Sequence, residues 1–93
     1  MAISFTDQIH VRPDTLINVI SGESVLLNLS SDSYFGLDQV GTDMWRHLTA
    51  EASIQAAYEK LLGEYDVDGE KLKADLAIFV EKLVENNLVE LRA

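Results

Sequence analysis

Between Val11 and Leu37 the apolar residues gather in short runs divided by turn formers. The runs are Leu16-Ile17-Asn18-Val19-Ile20, Val25-Leu26-Leu27-Asn28-Leu29 and Tyr34-Phe35-Gly36-Leu37, separated by Ser21-Gly22-Glu23 and by Ser30-Ser31-Asp32-Ser33. Short stretches of β-branched, leucine and aromatic residues with such breaks predict a three-stranded antiparallel meander. Along the second run Val25, Leu27 and Leu29 share one face, and Leu26 and Asn28 share the other. One face can therefore pack while the other stays half wet.

After Asp38 the apolar spacing lengthens to that of helices. Asp38 is placed to cap a first short helix that carries Val40, Met44, Trp45 and Leu48 on one face. A second helix begins behind Ser53, with Ile54, Ala57, Tyr58, Leu61, Leu62 and Tyr65 in a regular stripe and Gly63 weakening its last turn. The third and longest is predicted from about Glu70 to Asn86, capped by Asp68, with Asp66, Asp68 and Glu70 at its positive end. Projected at about 100° per residue, Phe79, Leu72, Leu83, Leu76, Val80, Val84 and Ala77 cover an arc of about 160°, and Lys73 falls inside it. Either part of this broad face lines a groove for a partner, or the domain surrounds its longest helix with both sheet and helices.

Strands followed by helices make an α+β architecture with the helices on one face of the meander. In that order the third strand, Ser33 to Leu37, lies at an edge with one row of N–H and C=O groups unpaired and no Pro or Lys to turn away an incoming strand. Such an edge can accept a peptide, and it also allows a homodimer.

Composition narrows the function classes. The 93 residues are 47% hydrophobic and contain no cysteine, so one domain must build its core without disulfides or a thiolate metal cluster. Seven Lys and Arg against sixteen Asp and Glu leave a charge of −9, which repels phosphate backbones and anionic lipid. Neither nucleic acid nor a membrane is expected as a partner. Met1-Ala2-Ile3-Ser4-Phe5-Thr6-Asp7 has no basic run before an apolar stretch, and a cytoplasmic location is expected.

No catalytic constellation emerges. His10 is expected near a disordered end and His47 on the first helix, and neither stands beside a recognisable nucleophile motif; Asp43 and His47, four apart, can pair on the helix surface. Asp66-Val67-Asp68-Gly69 is too short for a calcium loop, whose twelfth position would fall on Ala77, so no metal is expected and capping accounts for the acids. Asp32-Ser33 invites comparison with carrier proteins modified by phosphopantetheine, but this serine sits in a turn between strands. No cofactor is expected. Trp45, Tyr58 and Tyr65 read as core fillers, whereas Tyr34 and Phe35 must point to opposite faces of their strand.

Val11-Arg12-Pro13-Asp14, Gly22 to Leu29 and, above all, Tyr34-Phe35-Gly36-Leu37-Asp38-Gln39-Val40-Gly41-Thr42-Asp43-Met44-Trp45 resemble the PqqD family. The resemblance continues through the second helix and through Asp75, Phe79, Leu83 and Leu88-Val89-Glu90-Leu91, and so spans about residues 11–91. Ser31-Asp32-Ser33 stands where the family often has a glycine, and Asp38 where asparagine is common. The resemblance implies a winged helix-turn-helix-like domain, covering 1–93 as one unit, that binds no DNA. It implies a non-catalytic recognition element that holds the leader of a ribosomally made precursor peptide and presents it to a maturation enzyme, either a radical-SAM protein or, in lasso-peptide pathways, a leader peptidase. The leader would add as a strand beside Ser33, Tyr34, Phe35, Gly36 and Leu37. The helical wall would come from Lys73, Ala77, Val80 and Val84, with Leu76 deeper, and Pro in place of Phe35 is expected to remove a donor that the leader uses. The alternative, a DNA-binding winged-helix regulator, lacks a basic helix: Lys71, Lys73 and Lys82 face Glu70, Asp75, Glu81 and Glu85. A carrier-type protein is the weaker alternative.

Overall fold

The computed structural model describes residues 3–93. Met1 and Ala2, with which the reading of the N-terminus begins, lie outside the described residues. Strand β1 (Gln8–Val11) precedes a meander of β2 (Thr15–Ile20), β3 (Glu23–Asn28) and β4 (Ser33–Leu37). Three helices follow, α1 (Gln39–Ala50), α2 (Ile54–Glu64) and α3 (Gly69–Glu85), and then a last strand, β5 (Val89–Arg92). The α+β class and the meander-then-helices order agree with the sequence.

The expected caps close all three helices. Asp38 Oδ1 accepts from the Gly41 N–H at 2.8 Å, Ser53 Oγ from Ala56 at 3.1 Å and Asp68 Oδ1 from Glu70 at 3.1 Å. At the other end of α3, Asn87 takes the left-handed conformation with φ 57°. Its N–H donates to the Val84 carbonyl and that of Leu88 to the Leu83 carbonyl, both at 3.0 Å, while Leu83 and Leu88 are buried together, which is a Schellman stop.

The sheets differ from expectation in two respects. β1 and β5 form a second, two-stranded antiparallel sheet that pairs Gln8 with Arg92 and Val11 with Val89. His10 therefore lies in a strand opposite Glu90, not near a disordered end. Four-residue strands at opposite ends of the chain carry no local pairing signal, and they are held by burial of Ile9, Leu88 and Val89 in the common core. The second difference concerns β3, whose packed face is the more polar one. Ser24, Leu26 and Asn28 are buried, whereas Val25 and Leu29 are exposed. Burial of the polar pair is possible because both side chains are satisfied. Ser24 Oγ and Thr42 Oγ1 share a hydrogen bond of 2.8 Å. Asn28 Nδ2 donates to the Asn86 and Asn87 carbonyls at 3.2 and 3.3 Å, and its Oδ1 accepts from the Ser30 N–H at 2.9 Å.

Trp45, Met44 and Leu48 of α1 meet Leu26, Ile54, Ala57, Leu61, Leu76 and Val80 in the core, and Phe35 and Leu37 pack against it from β4. Val40, placed by spacing on the same stripe, is 44% exposed at the start of α1.

Candidate functional site: the β4 margin

The three-stranded sheet has the order β2-β3-β4, and among the described residues β4 pairs with β3 alone. Which of its backbone groups remain available follows from the first hairpin. Ser21 (φ 53°) and Gly22 (φ 84°) form a two-residue turn with both φ positive, flanked by the pair Ile20 and Glu23. In such a hairpin the flanking pair exchanges both hydrogen bonds, so Glu23 turns its N–H and C=O toward β2. Alternation then turns Ser24, Leu26 and Asn28 toward β4. The Leu29 N–H, which donates to the Asp14 carbonyl at 2.9 Å, keeps the same phase. Leu37, Phe35 and Ser33 stand opposite Ser24, Leu26 and Asn28 and spend their backbone groups on β3. The N–H and C=O of Tyr34 and Gly36 point off the margin.

This alternation corrects the expectation for Phe35. Its N–H belongs to the sheet's own ladder, so Pro there would damage the domain rather than the contact with a guest strand. Tyr34 and Phe35 do take opposite faces. Tyr34 is 73% exposed on the side away from the helices, and Phe35 turns toward the core. A Cβ built on Gly36 meets nothing within 4 Å, so this glycine is not demanded by the chain's own packing.

Beside the β4 margin runs a groove of about 250 Å³ between β4 and α3. Its lining is Phe35, Gly36, Leu37, Phe79, Lys82, Leu83 and Leu88, apolar apart from the one ammonium. Of the α3 residues expected as the helical wall (Lys73, Leu76, Ala77, Val80 and Val84), none lines it. Leu76 and Val80 have no exposure and are spent on the core. Lys73, Ala77 and Val84 lie a third to nearly half a turn round the helix from Phe79. Lys73 Nζ sits 5.2 Å from the centre of the Phe5 ring, on the flank covered by the N-terminal segment. That segment is tied to α2 by Gln55 and Ile54, whose N–H groups donate to the Phe5 and Asp7 carbonyls at 2.8 and 2.9 Å. The α3 residues that line this groove are Phe79, Lys82 and Leu83. Phe79 and Leu83 were visible in the broad apolar arc, but the side of that arc that meets β4 is a matter of tertiary placement.

The ionisable groups of α1 are paired with one another or with groups of α2 and its C-cap. Asp43 accepts from the Tyr65 hydroxyl and from Arg46 (3.1 Å), and His47 Nε2 pairs with Glu64 at 2.8 Å, so Asp43 and His47 do not pair with each other. The Tyr65 hydroxyl and then Arg46 hold the Asp43 carboxyl below the usual carboxylate range, and the same bond pushes Tyr65 up to about 12. Among the described residues no three His, Cys, Asp or Glu side chains gather in a group that could hold a metal ion, and no helix is long and apolar enough to cross a membrane.

No curated protein sequence matches the chain. The solved structure described as TbiB1 in complex with the TbiA(beta) leader peptide is similar at 31% identity and a TM-score of 0.81, over 87% of this chain and 94% of that one. A lasso peptide synthetase B1 complexed with the leader peptide shares the fold, with a TM-score of 0.80 at 24% identity, over 89% of this chain and 98% of that one. The family model for coenzyme PQQ synthesis protein D matches residues 23–89, from the start of β3 through α3 to Val89. A match over that much of the chain, which includes the β4 margin and its groove, makes this protein a member of the PqqD family.

Proposed function

We propose that this protein is a non-catalytic module that captures the leader segment of a ribosomally synthesised precursor peptide by strand addition to β4. The single observation that carries the reading is the free β4 margin lying directly beside an apolar groove. Tyr34 and Gly36 offer a guest backbone two donors and two acceptors, which gives affinity without regard to sequence. Guest side chains alternate, and those on the helix side enter between Phe35, Phe79 and Leu83, where shape and apolarity select. Lys82 at the rim favours an acidic guest residue by an exposed contact worth about 0–1 kcal/mol. The likeness to a protein solved with its leader peptide at 31% identity supports the same reading. The captured segment holds its downstream core outside the domain, where a maturation enzyme, a radical-SAM protein or a leader peptidase, acts on it.

The test is selection of a displayed random twelve-residue peptide library on the full chain, followed by amide hydrogen exchange with the selected peptides. Bound peptide slows exchange at Tyr34 and Gly36, and Gly36→Pro, which removes an outward donor on an edge where Pro is tolerated, weakens binding at least tenfold. Selected peptides that leave both amides unprotected, or no retained peptide at all, would reject the reading.

A further inference from the structure

The three-stranded sheet has a second open margin, on β2. Among the described residues β2 pairs with β3 alone, and every residue from Leu16 to Ile20 is exposed. The aliphatic side chains of Leu16, Ile17, Val19 and Ile20 are 52, 40, 57 and 63% exposed. Two of them, Ile17 and Val19, overhang a shallow groove above Trp45, Arg46 and Thr49 of α1. An apolar edge strand of this length with no Lys or Pro inside it is a template for another strand.

The hairpin phase states which groups it presents. Ile20, Asn18 and Leu16 spend their backbone groups on β3, so those of Ile17 and Val19 point outward. The residues around Asn18 form a near-palindrome, Thr15-Leu16-Ile17-Asn18-Val19-Ile20-Ser21. We infer that β2 pairs antiparallel with β2 of a second copy, with the two-fold axis through the Asn18 pair. In that register Ile17 and Val19 of opposite copies exchange hydrogen bonds and meet on the helix side. Leu16 meets Ile20 on the outer side, and the two Asn18 amides face each other as a close, non-hydrogen-bonded pair. Shifting the register by two residues would set Leu16 against Asn18. Leu16 and Asn18 would then each lose a matched counterpart, and Ile20 would stand opposite Asp14.

Two observations favour a second copy over an unrelated partner. The seam from Thr15 to Gly22 carries no ionisable side chain, so the −9 charge of each copy stays outside it. The apolar surface also matches what a weak dimer needs. Half-exposed aliphatic side chains leave on the order of 100 Å² each in water, which with the paired backbone approaches the lower range of specific interfaces and suits micromolar dissociation. The product is a continuous six-stranded sheet with β4 at both outer margins, so dimerisation and peptide capture use opposite edges.

The chain has no cysteine, so single-cysteine variants of the full protein test the geometry directly. Directly opposed residues of a non-hydrogen-bonded pair are close enough for a disulfide. Asn18→Cys is expected to oxidise to a covalent dimer, and Leu16→Cys mixed with Ile20→Cys to a mixed dimer, both well above a Tyr34→Cys control. Analytical ultracentrifugation should give a monomer–dimer equilibrium in the micromolar range, weakened at least tenfold by Val19→Lys with an unchanged circular dichroism spectrum. A monomer at 500 µM, cross-linking through Tyr34→Cys instead, or a β2 margin that is protected only by a maturation enzyme would each overturn the inference. Peptide capture at β4 would stand or fall separately.

Discussion

Asn28 is the residue on which the two halves of the molecule meet. Its amide, 2% exposed, ties the end of β3 to the Asn86 and Asn87 carbonyls just past the end of α3. Asn28→Ala leaves two carbonyls without their donor and should lower stability by about 2–4 kcal/mol, measured by urea denaturation. A nearby residue carries conformational strain. Asp32 lies at φ 59° in the turn between β3 and β4, a conformation that favours glycine. Asp32→Gly should therefore be neutral or stabilising by up to about 1 kcal/mol, and Asp32→Val destabilising by about 1–2 kcal/mol, in the same measurement. The Asp43–Tyr65 bond makes stability depend on pH at both ends. The lowered Asp43 contributes above the ordinary carboxylate pKa, and that contribution is lost as pH falls through its folded value. The raised Tyr65 contributes fully below about pH 10, and that part is lost as pH rises toward 12. Tyr65→Phe should flatten both slopes in thermal melts followed across pH.

At the scale of elements, local chemistry decides where helices start and stop. Asp38, Ser53 and Asp68 were recognisable as caps because a short acceptor before an apolar-periodic run satisfies N–H groups that no other local group reaches. The stop of α3 depends on Asn87 in the left-handed region. Asn87→Gly keeps the Schellman bonds at lower conformational cost and should raise the melting temperature by a few degrees, corresponding to about 0.5–1 kcal/mol. The edge position of Ser33–Leu37 was legible because a meander has its last strand at a margin. The alternation that leaves Tyr34 and Gly36 outward was not, because it depends on the turn conformation at Ser21-Gly22.

The whole molecule carries a charge of −9, with its carboxylates distributed over a small surface. Self-repulsion of this kind opposes the compact state and is screened by salt. Raising NaCl from 10 to 300 mM should lift the melting temperature by about 3 °C in calorimetry. An unchanged value would mean that attractive pairs such as Arg12–Glu90 and Arg46–Asp43 already balance the repulsion. At this scale the groove is a joint product of both sheets and α3. Leu88, which follows the α3 stop and leads into β5, forms part of its floor.

What could be read from residue order alone was whatever depends on neighbours along the chain: three helices with their caps, a meander with an open last strand, and the family. Tertiary structure decided the rest. Pairing of β1 with β5 joins residues about eighty positions apart, and it yields no periodic signal because each strand is only four residues long. The polar face of β3 is buried because Thr42, Asn86 and Asn87 supply partners from distant elements. The flank of α3 that faces β4 is Phe79, Lys82 and Leu83 because the N-terminal segment already occupies the side near Lys73. Periodicity defines the apolar width of a helix, but only packing assigns each degree of it to core, covering segment or groove.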